Sequence, residues 1–295
     1  MSKKRIRYII NPRSGTGGKQ GVFDLIKKLA DRENSEFEIS YTEAAGHATV
    51  LSREAAEKGF DIVVAVGGDG SVNEVAKSLT GTRTRLGIIP TGSGNGMARH
   101  LKIPMDPSEA IRVINTGMAE TIDTLMVNES FCIGTIGIGF DAYVAHLFAK
   151  APKRGYSTYV KLVLGEFYKY KPLTYDLVVD GKASSAECFL LTFANSSQFG
   201  NNAVIAPFAD VKDGIIDISM MKKFGFLLAP GLIYRLMNNT IHESSFFSMM
   251  RGTSIIVRNK GELKGHIDGE PVTFHTDLHV KIVPGSLQVV VPVIQ

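Results

Sequence analysis

The chain has little cysteine, no long apolar run and almost no excess charge, and each shortage removes a class of function. Cys132 and Cys188 are its two cysteines in 295 residues. Both lie in apolar surroundings and neither has a Cys-x-x-Cys partner. A disulfide scaffold is therefore excluded, and the pair reads as core thiols of a reducing compartment. The seven histidines form no His-x-x-x-His or Cys/His grouping. No catalytic histidine is assigned, and His47 reads as a helix-start residue. Thirty-three basic residues face 29 acidic ones, a formal charge of +4. That excess is too small for nucleic acid, although it favours an anionic membrane surface. Lys3-Lys4-Arg5-Ile6-Arg7 reads as a solubilising flank. The longest uncharged apolar stretch, Phe224–Tyr234, is interrupted by Pro230-Gly231. It is too short to cross a bilayer, which takes about 20 apolar residues. Tyr8–Ile10 is too short for the core of a signal peptide. The expected location is the cytoplasm, with peripheral contact at the inner face of the membrane at most. There is no internal repeat and no low-complexity tract.

What is present is a strong alternation of strands and helices. Over the first 125 residues, strands are predicted at Arg5–Ile10, Phe37–Tyr41, Asp61–Val66 and Leu86–Pro90. Helices are predicted at Gly21–Arg32, Ala48–Lys58, Ser71–Leu79, Gly96–Leu101 and Pro107–Thr116, the last closed by Gly117. Such alternation implies a parallel sheet covered on both faces, with ligands beyond the carboxyl ends of its strands. After Thr121 strand-like stretches dominate, among them Phe131–Gly137, Glu187–Ala194, Leu278–Val283 and Gln288–Val293, with Asp180-Gly181 as a hairpin turn. Helical stretches are expected at Asp141–Lys150, Thr158–Tyr168 and Phe226–Met237. The expected fold class is α/β: a three-layer, parallel-sheet nucleotide-binding domain over residues 1–124, then an antiparallel β-sandwich over 125–295 whose last strand returns to the first domain.

Three strand ends carry glycine-rich loops. Ile62–Val75 reads Ile-Val-Val-Ala-Val-Gly-Gly-Asp-Gly-Ser-Val-Asn-Glu-Val. An apolar run ends in Gly67-Gly68-Asp69-Gly70, and Ser71 with Glu74 has the spacing of a capping box. A strand, a glycine turn and a helix N-terminus make an anion site. Asp69 would repel phosphate there unless it holds a metal or takes a proton, which points to phosphoryl transfer. Asn11-Pro12-Arg13-Ser14-Gly15 follows the first strand, and Thr91-Gly92-Ser93-Gly94-Asn95 follows the fourth. Each alone reads equally as an ordinary loop. None ends in the Gly-Lys-[Ser/Thr] of a P-loop, and none has G-x-G-x-x-G spacing.

Taken together these segments resemble the catalytic domain of the diacylglycerol kinase and sphingosine kinase family of lipid kinases, closest to its soluble bacterial members. Val66–Glu74 carries the likeness, with Asn11-Pro12 before it and Gly92–Asn95 after it. Thr42 with Gly46-His47-Ala48, Gly137-x-Gly139-Phe140-Asp141-Ala142, Ala206-Pro207 with Asp213-Gly214 and Asp217, and Asp268-Gly269-Glu270-Pro271 follow in the family's order. The resemblance spans nearly the whole chain. It implies that Asn11, Pro12, Arg13, Ser14, Gly15, Thr42, Gly67, Gly68, Asp69, Gly70, Ser71, Asn73, Glu74, Thr91, Gly92, Ser93, Gly94 and Asn95 contact ATP. It implies that Glu270 accepts the proton, with Asp69 beside the transferred phosphate and Asp268 among the catalytic carboxylates. Asp141 would face the lipid headgroup. Asp213, with the main-chain carbonyls of Asp210 and Ile215, would match a structural Mg²⁺ site. The third loop departs from the Gly-Thr-x-Asn-Asp of many bacterial diacylglycerol kinases and looks more like that of sphingosine and ceramide kinases. Asn201-Asn202 stand where the family often has Gly-Gly.

The residue chemistry runs the same way. Phosphoryl transfer to a hydroxyl needs held phosphates, a divalent cation and a carboxylate to orient or deprotonate the nucleophile. The expected activity is ATP- and Mg²⁺-dependent phosphorylation of a lipid at a membrane surface, with diacylglycerol and sphingoid bases both credible acceptors and Asp69 and Glu270 both candidate bases. A homodimer is compatible with the sequence. Two other readings stand beside it: a kinase of a soluble alcohol, because Gly-Gly-Asp-Gly also occurs in NAD kinases, and a catalytically idle nucleotide- or lipid-binding regulator.

Overall fold

The computed structural model describes residues 3–12, 19–152, 156–259 and 261–293. It divides into two units, one of residues 1–123 with 284–295 and the other of residues 124–283.

The first unit alternates β1 (Lys4–Ile10), α1 (Lys19–Leu29), β2 (Ser35–Tyr41), α2 (His47–Glu57), β3 (Ile62–Gly67), α3 (Asp69–Leu79), β4 (Arg85–Pro90), α4 (Gly96–His100) and α5 (Pro107–Thr116). β5 (Met118–Val127) follows and carries the chain into the second unit. The four strands run in the order β2-β1-β3-β4, all parallel. β3 shows why: every residue of Ile62–Gly67 is buried, as a central strand covered on both faces must be. α5 begins on Asp106, whose carboxylate accepts the N–H groups of Ser108 and Glu109. Its C-cap, Gly117, is extended (φ −67°, ψ 168°) rather than left-handed. Glycine is needed there for space, since a Cβ would lie 2.5 Å from the carbonyl oxygens of Val113 and Val291.

The second unit contains β6 (Ser130–Cys132), β7 (Thr135–Gly139), α6 (Phe140–Ala149), α7 (Tyr156–Glu166), β8 (Leu173–Val179), β9 (Lys182–Cys188), β10 (Leu190–Ala194), β11 (Gln198–Gly200), β12 (Ala203–Val204), β13 (Ile216–Met221), α8 (Ala229–Met237), β14 (Phe247–Gly252), β15 (Ser254–Val257), β16 (Leu263–Ile267) and β17 (Glu270–Phe274). β18 (Leu278–Val291) begins in this unit and ends in the first, where Val289 pairs in parallel with Leu86 of β4. One sheet has the order β14-β13-β10-β7-β16-β17 and is antiparallel throughout. The other runs β9-β8-β15-β18. Alternation along the strands builds two cores. Ile136, Ile138, Leu191, Phe193, Ile216 and Ile218 pack with Leu177, Ile255 and Val280 of the other sheet. Leu190, Ala194 and Met221 point the opposite way, into a cluster with Phe140, Phe167, Phe189 and Leu232.

Several expectations need correction. The strand read as Phe131–Gly137 is two, β6 and β7, broken at 133–134. The stretches Leu278–Val283 and Gln288–Val293 are one strand, β18, which continues through Pro284-Gly285. β9 and β14 went unread because Lys182–Cys188 is polar and Phe247–Gly252 is split between exposed and buried positions. The hairpin turn at Asp180-Gly181 stands as expected, both residues at positive φ (47° and 81°). Asn201 and Asn202 adopt the left-handed conformation their side chains tolerate. Cys132 and Cys188 are free and buried.

One buried group is costly. Thr192, in the middle of β10, is fully buried and its hydroxyl has no hydrogen-bond partner among the described residues. Leaving such a group unsatisfied costs about 1–3 kcal/mol. Thr192→Val keeps the shape, so its urea midpoint is expected to rise by the equivalent of about 1 kcal/mol; a lower midpoint would show that the hydroxyl is bonded in solution.

Candidate functional site

The parallel sheet places the candidate nucleotide loops along one edge. β1, β2, β3 and β4 are neighbours, and all four run in the same direction. Asn11-Pro12, Thr42, Gly67–Asn73 and Thr91–Asn95 therefore follow their carboxyl ends side by side. Backbone bonds tie them together: Asn11 N–H donates to Val66 O (3.1 Å), Thr42 N–H to Ile10 O (3.0 Å) and Thr91 N–H to Gly67 O (2.9 Å). The Asn11 amide also donates to Ser71 Oγ (3.1 Å). Arg13, Ser14 and Gly15 lie outside the described residues.

The third and second loops meet backbone to backbone. A Cβ on Gly92 would sit 2.5 Å from Gly68 Cα, and one on Gly68 would sit 3.2 Å from Gly92 Cα. Only glycines permit that approach. Asn95, left-handed at φ 54°, braces the third loop from within. Its Oδ1 accepts the N–H of Gly92 (3.1 Å) and its amide donates to Gly92 O (2.9 Å). Sequence reasoning gave Asn95 a ligand contact; its side chain is bonded to its own loop. Ser93 is exposed beside it.

α3 opens at Asp69 with Gly68 as its N-cap and no side-chain cap. This corrects the capping box. With the helix starting two residues before Ser71, Glu74 falls too deep in the helix to reach its N-terminus. Glu74 Oε1 accepts the N–H of Gly46 (2.9 Å) and Oε2 that of Ala48 (3.2 Å). It thus satisfies the start of α2, where Gly46 is left-handed, and ties α3 to α2. His47 opens α2 as expected, its Nδ1 accepting the N–H of Glu43 (3.1 Å). Without a side-chain cap, the N-terminus of α3 around Gly68–Ser71 is a place for an anion, with Asp69 and Gly70 in its first turn.

The second unit holds the remaining candidates. Asp268 and Gly269 form the hairpin turn between β16 and β17, at φ 49° and 84°. The Asp268 carboxylate accepts the N–H groups of Ile133 (3.0 Å), Gly134 (2.8 Å) and Thr135 (2.9 Å). Three donors on one carboxylate make Asp268 an anchor for the turn that presents Glu270. Burial and the charge of Asp268 together push the Cys132 thiol well up. Glu270 follows the turn directly, exposed at the first position of β17. Asp141 stands in the first turn of α6, and its Oδ2 meets His266 Nε2 at 2.9 Å. His266 was missed, because no histidine spacing announces it. Gly137 was the available signal: a Cβ there would overlap both Asp141 Oδ2 and His266 Nε2.

Asp210, Asp213 and Ile215 form a self-closed turn. Asp210 Oδ1 accepts Lys212 N–H (3.0 Å), and Asp213 Oδ1 accepts Ile215 N–H (3.0 Å). No cluster of three metal-binding side chains occurs among the described residues. The donors on offer, one carboxylate and main-chain carbonyls, are hard oxygens of the kind Mg²⁺ accepts. Asp217, four residues on from Asp213, is fully buried; Arg251 holds its Oδ1 at 2.9 Å, and its Oδ2 has no partner among the described residues. Burial pushes its carboxyl up, against the pull of Arg251. Among the described residues no helix is long and apolar enough to cross a membrane.

Comparison with known proteins covers both units. Residues 5–127 match the model of the diacylglycerol kinase catalytic domain, and residues 134–291 that of the YegS C-terminal NAD kinase beta sandwich-like domain. The diacylglycerol kinase of Mycobacterium tuberculosis (strain H37Rv) is 30% identical over 98% of this chain and 95% of its own. That of Bacillus subtilis (strain 168) is 29% identical over 94% of this chain and 96% of its own. The crystal structure of a diacylglycerol kinase from Bacillus anthracis str. Sterne superposes with a TM-score of 0.75 at 20% identity, covering 99% of this chain and 98% of that one, and shows the same fold.

Proposed function

Because the chain belongs to the diacylglycerol kinase family of lipid kinases, we propose that it transfers the γ-phosphate of ATP to a lipid hydroxyl. Membership makes it a phosphotransferase; ATP, Mg²⁺ and the lipid acceptor belong to the proposal. The observation that carries it is the contact of Gly68 with Gly92 at the N-terminus of α3. The two glycines bring the third loop close to the uncapped N-terminus of α3, whose first-turn N–H groups have no acceptor within the helix and suit a polyphosphate. In this reading Asn11, Thr42, Gly67–Asn73 and Thr91–Ser93 hold ATP. Asp69, in the first turn of α3, stands beside the transferred phosphate and would hold the divalent cation that neutralises it. Glu270, exposed beside the anchored Asp268 turn, takes the proton of the acceptor hydroxyl. Asp141 receives the polar head of the acceptor. Mg²⁺ supplies charge neutralisation when bound, and Asp213 with the carbonyls of Asp210 and Ile215 would hold a further, structural ion.

A kinase of a soluble alcohol is the second reading, favoured by the NAD kinase-like description of the matched second domain. Labelled ATP offered with diacylglycerol micelles, sphingosine micelles or NAD separates the two. Label is expected in a lipid; transfer to NAD alone would reject the proposal.

A further inference from the structure

The side-chain ring of His266 joins two segments already given roles, the start of α6 and the turn before Glu270. Its Nε2 lies 2.9 Å from Asp141 Oδ2, with 7% of the His266 side chain and 10% of the Asp141 side chain exposed. Its Nδ1 faces the N–H of Gly269 at 3.4 Å, in the turn that precedes Glu270. A backbone N–H can only donate. In the neutral ring Nδ1 therefore carries the lone pair, and the proton sits on Nε2, directed at Asp141. Phe199 stands edge-on to the ring at 6.2 Å. Across the strand pair, His266 is in register with Gly137, whose missing Cβ leaves room for the contact.

The other Asp141 oxygen, Oδ1, accepts the N–H of Ala142 at 2.8 Å. Two of roughly four acceptor positions on the carboxylate are thus used. The two bonds fix its plane, and the remaining positions suit a hydroxyl or ammonium group. We propose that His266 is a positioning residue, holding the Asp141 carboxylate through Nε2–H so that it binds the hydroxyl- or ammonium-bearing head of the acceptor. This rests on the lipid-kinase reading of Asp141.

Two isosteres separate the contacts of the ring. In His266→Gln the side-chain amide reaches the position of Nε2; in His266→Asn it reaches only that of Nδ1. The test measures kcat and KM for lipid and for ATP, with melting temperatures alongside. His266→Asn is expected to lose about 10²-fold in kcat/KM for the lipid with KM for ATP unchanged, as a misplaced binding group does. His266→Gln is expected to retain most of that activity. Rescue by Asn and not Gln, or losses that follow melting temperature regardless of the isostere, would overturn the inference. Nitrogen-15 spectra of the imidazole give a readout independent of turnover. A proton on Nε2 whose resonance shifts in Asp141→Asn supports the contact, and a proton on Nδ1 alone overturns it. If the wild type phosphorylates no lipid while the Nε2 signature is present, the acceptor reading is what fails.

Discussion

Asp69→Asn is expected to cut turnover by about 10²–10⁴-fold while ATP still binds and the fold survives. The substitution keeps the size of the side chain and removes its charge. Asp69 occupies the first turn of α3, at the carboxyl end of a wholly buried strand. A negative charge at that end of a helix contributes about 0.3–1 kcal/mol of stability, a small loss beside the stability of a domain. The larger loss falls on the reaction, where in the proposed mechanism the carboxylate would hold the cation that neutralises the transferred phosphate. Turnover by steady-state assay and ATP affinity by calorimetry check this together. Near-normal turnover would remove Asp69 from the mechanism. Absence of turnover in the wild type itself, with ATP still bound, is the result that would revive the idle-regulator reading.

Gly92→Ala is the second large effect. A Cβ 2.5 Å from Gly68 Cα is far inside the roughly 3.5–4.0 Å that carbon atoms need, so the two loops must part by about 1 Å. Displacement of that size in a binding group costs about 10²-fold, and forcing atoms into a packed contact costs about 1–3 kcal/mol of stability. Both the KM for ATP and the urea midpoint are expected to worsen. Gly68→Ala, with its Cβ at 3.2 Å, should be milder on both measures. The ordering of the two variants is the sharp part. Equal ATP binding in Gly92→Ala and wild type would show that the loops do not meet in solution.

The first unit was more legible in the sequence than the second, for a physical reason. Its central strands are buried on both faces, so Ile62–Val66 appears as an unbroken apolar run rich in β-branched residues, and it passes directly into glycine. In the second unit β9 presents Lys182, Ala183, Ser184 and Ser185 to solvent, and nothing in that polar run announces a strand. Local spacing also misled at Glu74. Ser71-x-x-Glu74 satisfies the capping-box pattern, yet its carboxylate serves a helix start 26 to 28 residues earlier, a contact that only folding reveals. Asp268 shows the same limit, because an acidic residue in a hairpin turn reads alike whether its carboxylate faces a substrate or three backbone donors. The pairing of Asp141 with His266 spans 125 residues and left one trace, the glycine at position 137.

The most direct measurement is a phosphorylation screen of a total lipid extract, with ATP and Mg²⁺, products read by mass, and wild type run beside Asp69→Asn. A lipid that gains one phosphoryl group with the wild type and none with the variant is the predicted result. No phosphorylated lipid from the wild type, or the same yield from both proteins, would contradict the account.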